Sequence, residues 1–180
     1  MKVQIAGFAG AGKSTLARKI GEIYNVPVLH IDTLHFLPNW VVREDSLMER
    51  DIEKFLKEND GWVIDGNYYR HTPERFDQAD KIIYLNFNRF TCLMNSFRRI
   101  NKNRNNQRPD MAKGCIDKPS FAFSMWILFG GRAKKFKNRF KAIETKYPQK
   151  VVILRNKKEV DKYVEDLKNE RERENTGIKE

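Results

Sequence analysis

The octet Gly7-Phe8-Ala9-Gly10-Ala11-Gly12-Lys13-Ser14 constrains this chain more than any other stretch, because it reads G-x-x-x-x-G-K-S between a strand and a helix. Lys2-Val3-Gln4-Ile5-Ala6 before it has the character of a short buried strand, and Leu16, Ala17, Ile20, Ile23 and Tyr24 after it fall at helical spacing. A loop of this kind holds phosphate. Glycine lets the backbone at Gly7, Gly10, Ala11 and Gly12 curl so that several N–H groups point at one anion. The helix beginning at Lys13 adds its positive N-terminal dipole. Lys13 brings a mobile charge to the outer phosphates, and the Ser14 hydroxyl can ligate Mg²⁺. ATP and Mg²⁺ are therefore the expected cofactors.

Around this loop, apolar runs alternate with helical patterns, which predicts an α/β fold with a parallel sheet covered by helices. The expected strands are Val3–Ala6, Pro27–Ile31, Trp62–Ile64, Lys81–Leu85 and Lys150–Leu154. Met48, Ile52, Phe55 and Leu56 form one helical stripe, with Ser46 and Glu49 spaced as a capping box. Phe90, Leu93, Met94 and Phe97 form another. A third comprises Ala133, Phe136, Phe140, Ile143 and Tyr147, and Gly130-Gly131 before it marks a hinge or break. After the last strand a helix of about 10–15 residues is expected. One domain spans 1–168, and 169–180 reads as a charged flexible tail.

The chain has 180 residues and a net charge of +11. The segment 98–141 holds 13 Lys and Arg against two acids, Asp110 and Asp117, and so carries the whole excess. Such a segment binds polyphosphate or nucleic acid, or is a solvated face. Its middle, from Asn101 to Pro119, has no hydrophobic period; a loop this long is functional or disordered. No apolar run approaches the ~20 residues that span a bilayer, so no membrane partner is expected. The N-terminus leaves no room for a signal peptide. Cys92 and Cys115 form no C-x-x-C pair and read as free thiols of a cytoplasmic protein. A monomer and a dimer are both compatible with the sequence.

Two carboxylates stand where an open parallel sheet places its ligands, beyond the strand ends: Asp32 after the second strand and Asp65 after the third. Each can hold Mg²⁺ or its waters, or take a proton from a substrate hydroxyl. The alternatives are a helix cap at Asp32 and a turn-forming Asp-Gly at Asp65. His30 and His35 read as core histidines, for lack of a third metal ligand. Trp40 and Arg43 can wall and clamp a substrate, or pack on the surface. Arginines of the basic segment are candidates for stabilising transition-state charge.

With these residues the chain resembles the adenylate-kinase-like P-loop kinases, and among them the small bacterial proteins labelled "DNA topology modulation protein". The carrying motifs are Gly7–Ser14, Ile31-Asp32-Thr33-Leu34-His35-Phe36 with Pro38-Asn39-Trp40, Asp65-Gly66-Asn67-Tyr68, and Arg108-Pro109-Asp110-Met111-Ala112-Lys113-Gly114-Cys115. The resemblance covers residues 1–165. It implies a five-stranded parallel sheet of order 2-3-1-4-5, an acceptor-covering segment at 33–60 and a lid at 98–132. It implies that Gly10, Gly12, Lys13, Ser14 and Thr15 hold the nucleotide phosphates and that Arg155 borders the adenine. Asp32 and Arg43 would face the acceptor, Asp65 would sit near the metal, and Arg99, Arg108 and Arg132 would serve the transferring phosphoryl group; Trp40 and Asn67 are further substrate-binding candidates apart from the resemblance. The third strand ends Asp-Gly-Asn-Tyr, not Asp-Gly-Phe-Pro-Arg as in adenylate kinases, which argues against AMP as acceptor. The expected activity is phosphoryl transfer from ATP to a small molecule. The rivals are a nucleotide-dependent nucleic-acid-binding regulator that uses 98–141, and a slow NTPase.

Overall fold

The computed structural model describes residues 1–103 and 106–176. Positions 104–105, within the expected lid, and 177–180, within the expected tail, lie outside the described residues. Seven strands and eight α-helices follow the order β1 (Lys2–Gly7), α1 (Lys13–Tyr24), β2 (Val28–His30), α2 (Asp32–His35), β3 (Phe36–Leu37), β4 (Val41–Val42), α3 (Asp45–Glu58), β5 (Trp62–Asp65), α4 (Glu74–Gln78), β6 (Lys81–Leu85), α5 (Arg89–Lys102), α6 (Phe121–Leu128), α7 (Lys134–Lys146), β7 (Val151–Leu154) and α8 (Lys157–Thr176). Short 3₁₀ turns occupy Pro38–Trp40 and Gly130–Arg132.

Five strands form one parallel sheet of order β2-β5-β1-β6-β7. Counted by sheet strand alone, this is 2-3-1-4-5, as expected. The strands are short and apolar because helices cover both faces. Alternate residues serve opposite sides: Val63 and Ile83 join the cluster under α1 and α8 with Leu16, Ile20 and Leu167. Trp62, Ile64 and Ile82 join Met48, Ile52 and Phe76 on the other side. Each fully buried Leu or Ile contributes roughly 1.5–3 kcal/mol of transfer free energy, so the two clusters fix the strand ends that carry the site.

Four features depart from the sequence reading. The antiparallel pair β3–β4 carries two residues per strand, too few for a period to show. The apolar run after Ser120 is a separate helix, α6, capped by the Ser120 hydroxyl, which accepts from the Phe123 amide at 3.2 Å. The capping box does not form, because α3 begins at Asp45 and Ser46 instead donates to the Glu44 carboxylate. Finally, α8 continues helical to Thr176, past the boundary drawn at 169. Among the described residues no helix is long and apolar enough to cross a membrane.

A buried arginine organises the loop that follows β5. Arg75 is fully buried, and it donates to Gln4 Oε1 at 2.8 Å, to the Tyr68 carbonyl at 2.8 Å, and to the carbonyls of His71 and Thr72. Burial pulls its pKa down to about 10, which still leaves it charged at neutral pH. Its fork satisfies carbonyls that would otherwise be orphaned in the interior. This anchor sets the places of Asn67 and Tyr68.

Candidate active site

One cavity of about 1760 Å³ opens beyond the carboxyl ends of the strands. Pockets for a single drug-sized ligand run to about 1,000 Å³, so this one has room for two ligands side by side. Its floor is the loop from Ala9 to Thr15. Gly10 has φ +78°, and a Cβ there would lie 2.2 Å from the Cys92 carbonyl oxygen. Only glycine lets the loop lie this close to α5. Gly12 has φ +92° and open space where its Cβ would stand, as a site that must admit an anion requires.

The start of α1 is ready for that anion. No side chain caps it, and its first turn contains no acid. Its own first turn therefore leaves these free amides to an anion. The Lys13 ammonium rests against the Phe8 carbonyl at 3.3 Å, within the loop's own curl. The loop is braced from three sides. The Asn67 amide exchanges two 2.9 Å hydrogen bonds with the backbone of Gly7, and Asn95 donates to the Gly10 carbonyl at 3.1 Å. Arg132 stacks 3.8 Å from the centre of the Phe8 ring.

Along another wall, Asp32 begins α2, whose cap position is Ile31, and its Oδ1 accepts from the Tyr68 hydroxyl at 2.6 Å. Burial, then the negative charge of Asp32, push the Tyr68 phenol far above its ordinary pKa. Tyr68 therefore stays a donor at any physiological pH. Phe36, Trp40 and Tyr68 supply aromatic walls, with Trp40 edge-on to Phe36 at 5.4 Å. Asp65 is buried; its Oδ2 lies 3.1 Å from His30 Nδ1, while its Oδ1 has no hydrogen-bond partner.

The side formed by residues 99–117 is a chain of paired charges. Asp117 lies 3.1 Å from Arg99 Nε and 2.9 Å from Arg108 Nε. Arg108 in turn pairs with Asp110 at 3.0 Å, and Asp110 lies 3.8 Å from Arg18 of α1. Burial, and then repulsion from Arg108, lower the Arg99 pKa. Burial pushes the Asp110 carboxyl up, but Arg108 and the hydroxyl of Ser14 pull it further down, so it stays ionised.

The structure thus brings Gly10, Ala11, Gly12, Lys13, Ser14, Thr15, Asp32, Trp40, Asp65, Asn67, Arg99 and Arg108 to one cavity. It does not bring Gly7, Arg43, Arg132 or Arg155 to that wall. Gly7 is the end of β1, held by Asn67. Arg43 is spent on Asp51 at 2.7 Å and on the Leu34 carbonyl, which fixes the β3–β4 hairpin to α3. Arg132 donates to the carbonyls of Phe87 at 2.8 Å and Ile127 at 3.3 Å, behind the loop. Arg155 is exposed and its amide caps onto Glu159. Sequence reasoning passed over Tyr68 and Asp110 as site residues, although both stand inside motifs it had singled out.

No group of three or more His, Cys, Asp or Glu that could cage a metal occurs among the described residues. That suits Mg²⁺, which keeps waters and binds through one or two carboxylates and phosphate oxygens. Ser14 with a nearby carboxylate is a fitting donor set.

His35 packs between Phe36 at 4.6 Å and Tyr68 at 4.7 Å, with Nδ1 buried and unpartnered. Burial lowers its pKa, outweighing Asp32 and Asp45. The fold thus prefers the neutral ring. The His35 contribution to stability is full above the unfolded value of about 6.5 and is lost as pH falls through it. Urea midpoints should therefore drop between pH 7.5 and 5.5 more in the wild type than in His35→Gln; parallel profiles would rule out this role.

No protein-family model matches the chain, and no curated protein matches it. Among solved structures, a gluconokinase from Sinorhizobium meliloti 1021 superposes with a TM-score of 0.53 at 13% identity, over 96% of this chain and 91% of that one. Shikimate kinase from Bacteroides thetaiotaomicron gives 0.48 at 13% identity over 94% and 97% of the two chains. Shikimate kinase from Acinetobacter baumannii in complex with shikimate gives 0.49 at 12% over 92% and 89%. The gluconokinase match shows a shared fold. Nothing in these comparisons supports the "DNA topology modulation" label.

Proposed function

We propose that this chain is an ATP- and Mg²⁺-dependent phosphotransferase that moves the γ-phosphoryl group to a small acceptor bearing a hydroxyl. The observation that carries the reading is the shared cavity. An anion-ready loop with Lys13 and an Asp32–Tyr68 pair open on the same space, which is large enough for nucleotide and acceptor together. A bare NTPase needs no second ligand pocket. The gluconokinase is by name a kinase, and at 13% identity it lends the fold alone.

In this mechanism the α1 amides and Lys13 neutralise the outer phosphates, and Thr15 and Ser14 complete the cradle. Mg²⁺, when bound beside Ser14, supplies charge neutralisation and orientation of the phosphate chain. The acceptor hydroxyl oxygen attacks the γ-phosphorus, and the bond to the β–γ bridging oxygen breaks. The hydroxyl proton passes to Asp32. Tyr68 holds Oδ1, which leaves Oδ2 to face the acceptor. Trp40 and Phe36 exclude water from the transfer. Positioning and electrostatics do most of the catalysis in such a reaction.

The cations at the cavity support the same reading. Arg98, Arg99, Lys102, Arg108, Lys118 and Arg139 line it, so much of the basic excess of 98–141 surrounds the proposed phosphate site. A nucleic-acid surface remains the second reading, because further lysines of α7 face outward. The decisive experiment is a phosphoryl-transfer screen with Mg-ATP over sugars, sugar acids, nucleosides, nucleotides and small hydroxy acids. Acceptor-dependent ADP release is expected. ADP release that no acceptor stimulates, with DNA binding that weakens steeply in salt, would refute the kinase.

A further inference from the structure

The irregular stretch from 106 to 120 is docked, and what it docks on matters. The Gln107 side chain clamps it, accepting from the Gly114 amide at 3.0 Å and donating to the Met111 carbonyl at 3.4 Å. Met111, Ala112 and Cys115 bury themselves against Phe36 of the β3–β4 hairpin. The Asn39 amide donates to the Gly114 carbonyl, and the Cys115 thiol approaches the Leu37 carbonyl at 3.3 Å. This seal delivers Asp110 to the phosphate loop. Asp110 is 8% exposed, lines the cavity together with Ser14, and lies 3.8 Å from Arg18, one helical turn beyond Ser14 on α1.

Resting on the nucleotide-binding reading above, we propose that Asp110 positions the metal at the phosphate loop, taking the metal or its bound water beside the Ser14 hydroxyl. Three observations converge on this. Ser14 is the hydroxyl that the loop offers a metal, and Asp110 is the carboxylate that the docked stretch brings to the same cavity. Asp65 lines the same cavity, and its Oδ1 is buried and without a donor. Asp32 is taken toward the acceptor side by Tyr68. Ser14, Asp110 and Asp65 then offer one hydroxyl and two carboxylates, the sparse set that Mg²⁺ accepts beside phosphate oxygens. Arg108 orients Asp110, as a neighbour of a metal-binding group commonly does. Because Asp110 rides on the stretch that seals the acceptor hairpin, closing that hairpin and fixing the metal become one event.

The test reads metal binding without turnover. A non-hydrolysable ATP analogue is titrated calorimetrically with and without Mg²⁺, and Mn²⁺ binding to the complex is followed by electron paramagnetic resonance. Asp110→Asn should weaken Mn²⁺ roughly tenfold or more, while affinity for the metal-free analogue is kept or rises. Asp110→Glu should restore part of the loss. Asp77→Asn removes an exposed carboxylate paired with Lys146, away from the cavity, and should leave Mn²⁺ affinity unchanged; thermal melting of each variant reports its folding. Unchanged Mn²⁺ affinity in Asp110→Asn would overturn the proposal while leaving the loop reading intact. An equal loss in Asp77→Asn would overturn it too, since the loss would then not be specific to Asp110. A wild type that binds no analogue would sink both readings together.

Discussion

Lys13→Ala should lower phosphoryl transfer by roughly 10²–10³-fold. The expectation follows from where the ammonium sits. It lies inside the loop's curl against the Phe8 carbonyl, beside an α1 start that has no acid and no cap. Amides and this mobile charge supply the positive field at the loop itself. Negative charge shifts along the phosphate chain as the β–γ bond breaks, and a cation placed there binds the transition state more tightly than the ground state. The loss should thus appear in kcat as well as in nucleotide affinity. Isothermal titration with Mg-ATP and single-turnover kinetics separate the two. Little structural damage is expected, because Lys13 is only partly buried and no acid among the described residues pairs with it. Equal affinity and equal turnover in mutant and wild type would show that the loop does not grip the outer phosphates.

The loop was legible because its chemistry is local. Eight consecutive residues specify a turn, a helix start and a charge, and no distant partner is needed to recognise them. Asp32 and Asp65 were legible for a related reason: strand ends in a parallel sheet are ligand sites whatever the loops do. What stayed hidden depends on pairings far apart in sequence. Asn67 looks like a substrate ligand, but its amide is consumed in bracing Gly7, 60 residues away. Tyr68 gains its role only when Arg75 pins the loop carbonyls and turns the phenol to Asp32. Asp110 lies in an aperiodic stretch, where no pattern tells a buried carboxylate from a solvated one. Arg43 and Arg132 had the right residue type for gripping phosphate. Asp51 and the Phe87 carbonyl claim them instead. Helix α6 was obscured because it is apolar on nearly every side and so shows no 3.6-residue period.

Asp32→Asn should lower turnover by roughly 10²–10⁴-fold with little change in ATP affinity. The amide keeps the size and one carbonyl oxygen, so Tyr68 can still donate and the wall of Phe36 and Trp40 stands. What is lost is the place for the acceptor's proton. Proton transfer is needed only if the acceptor is a hydroxyl; a phosphate acceptor arrives already deprotonated and needs no base. The variant therefore reports on the class of acceptor as well as on Asp32. Tyr68→Phe separates base from geometry. It removes the 2.6 Å hydrogen bond to Oδ1 but leaves the carboxylate, so Asp32 keeps its charge and loses its orientation. Its loss should be smaller than that of Asp32→Asn. A double mutant no worse than Asp32→Asn alone would show that Tyr68 acts through Asp32. Steady-state kinetics with the acceptor found in the screen measure all three. Full turnover in Asp32→Asn with a hydroxyl acceptor would remove Asp32 from the chemistry and leave it as a fastener for Tyr68.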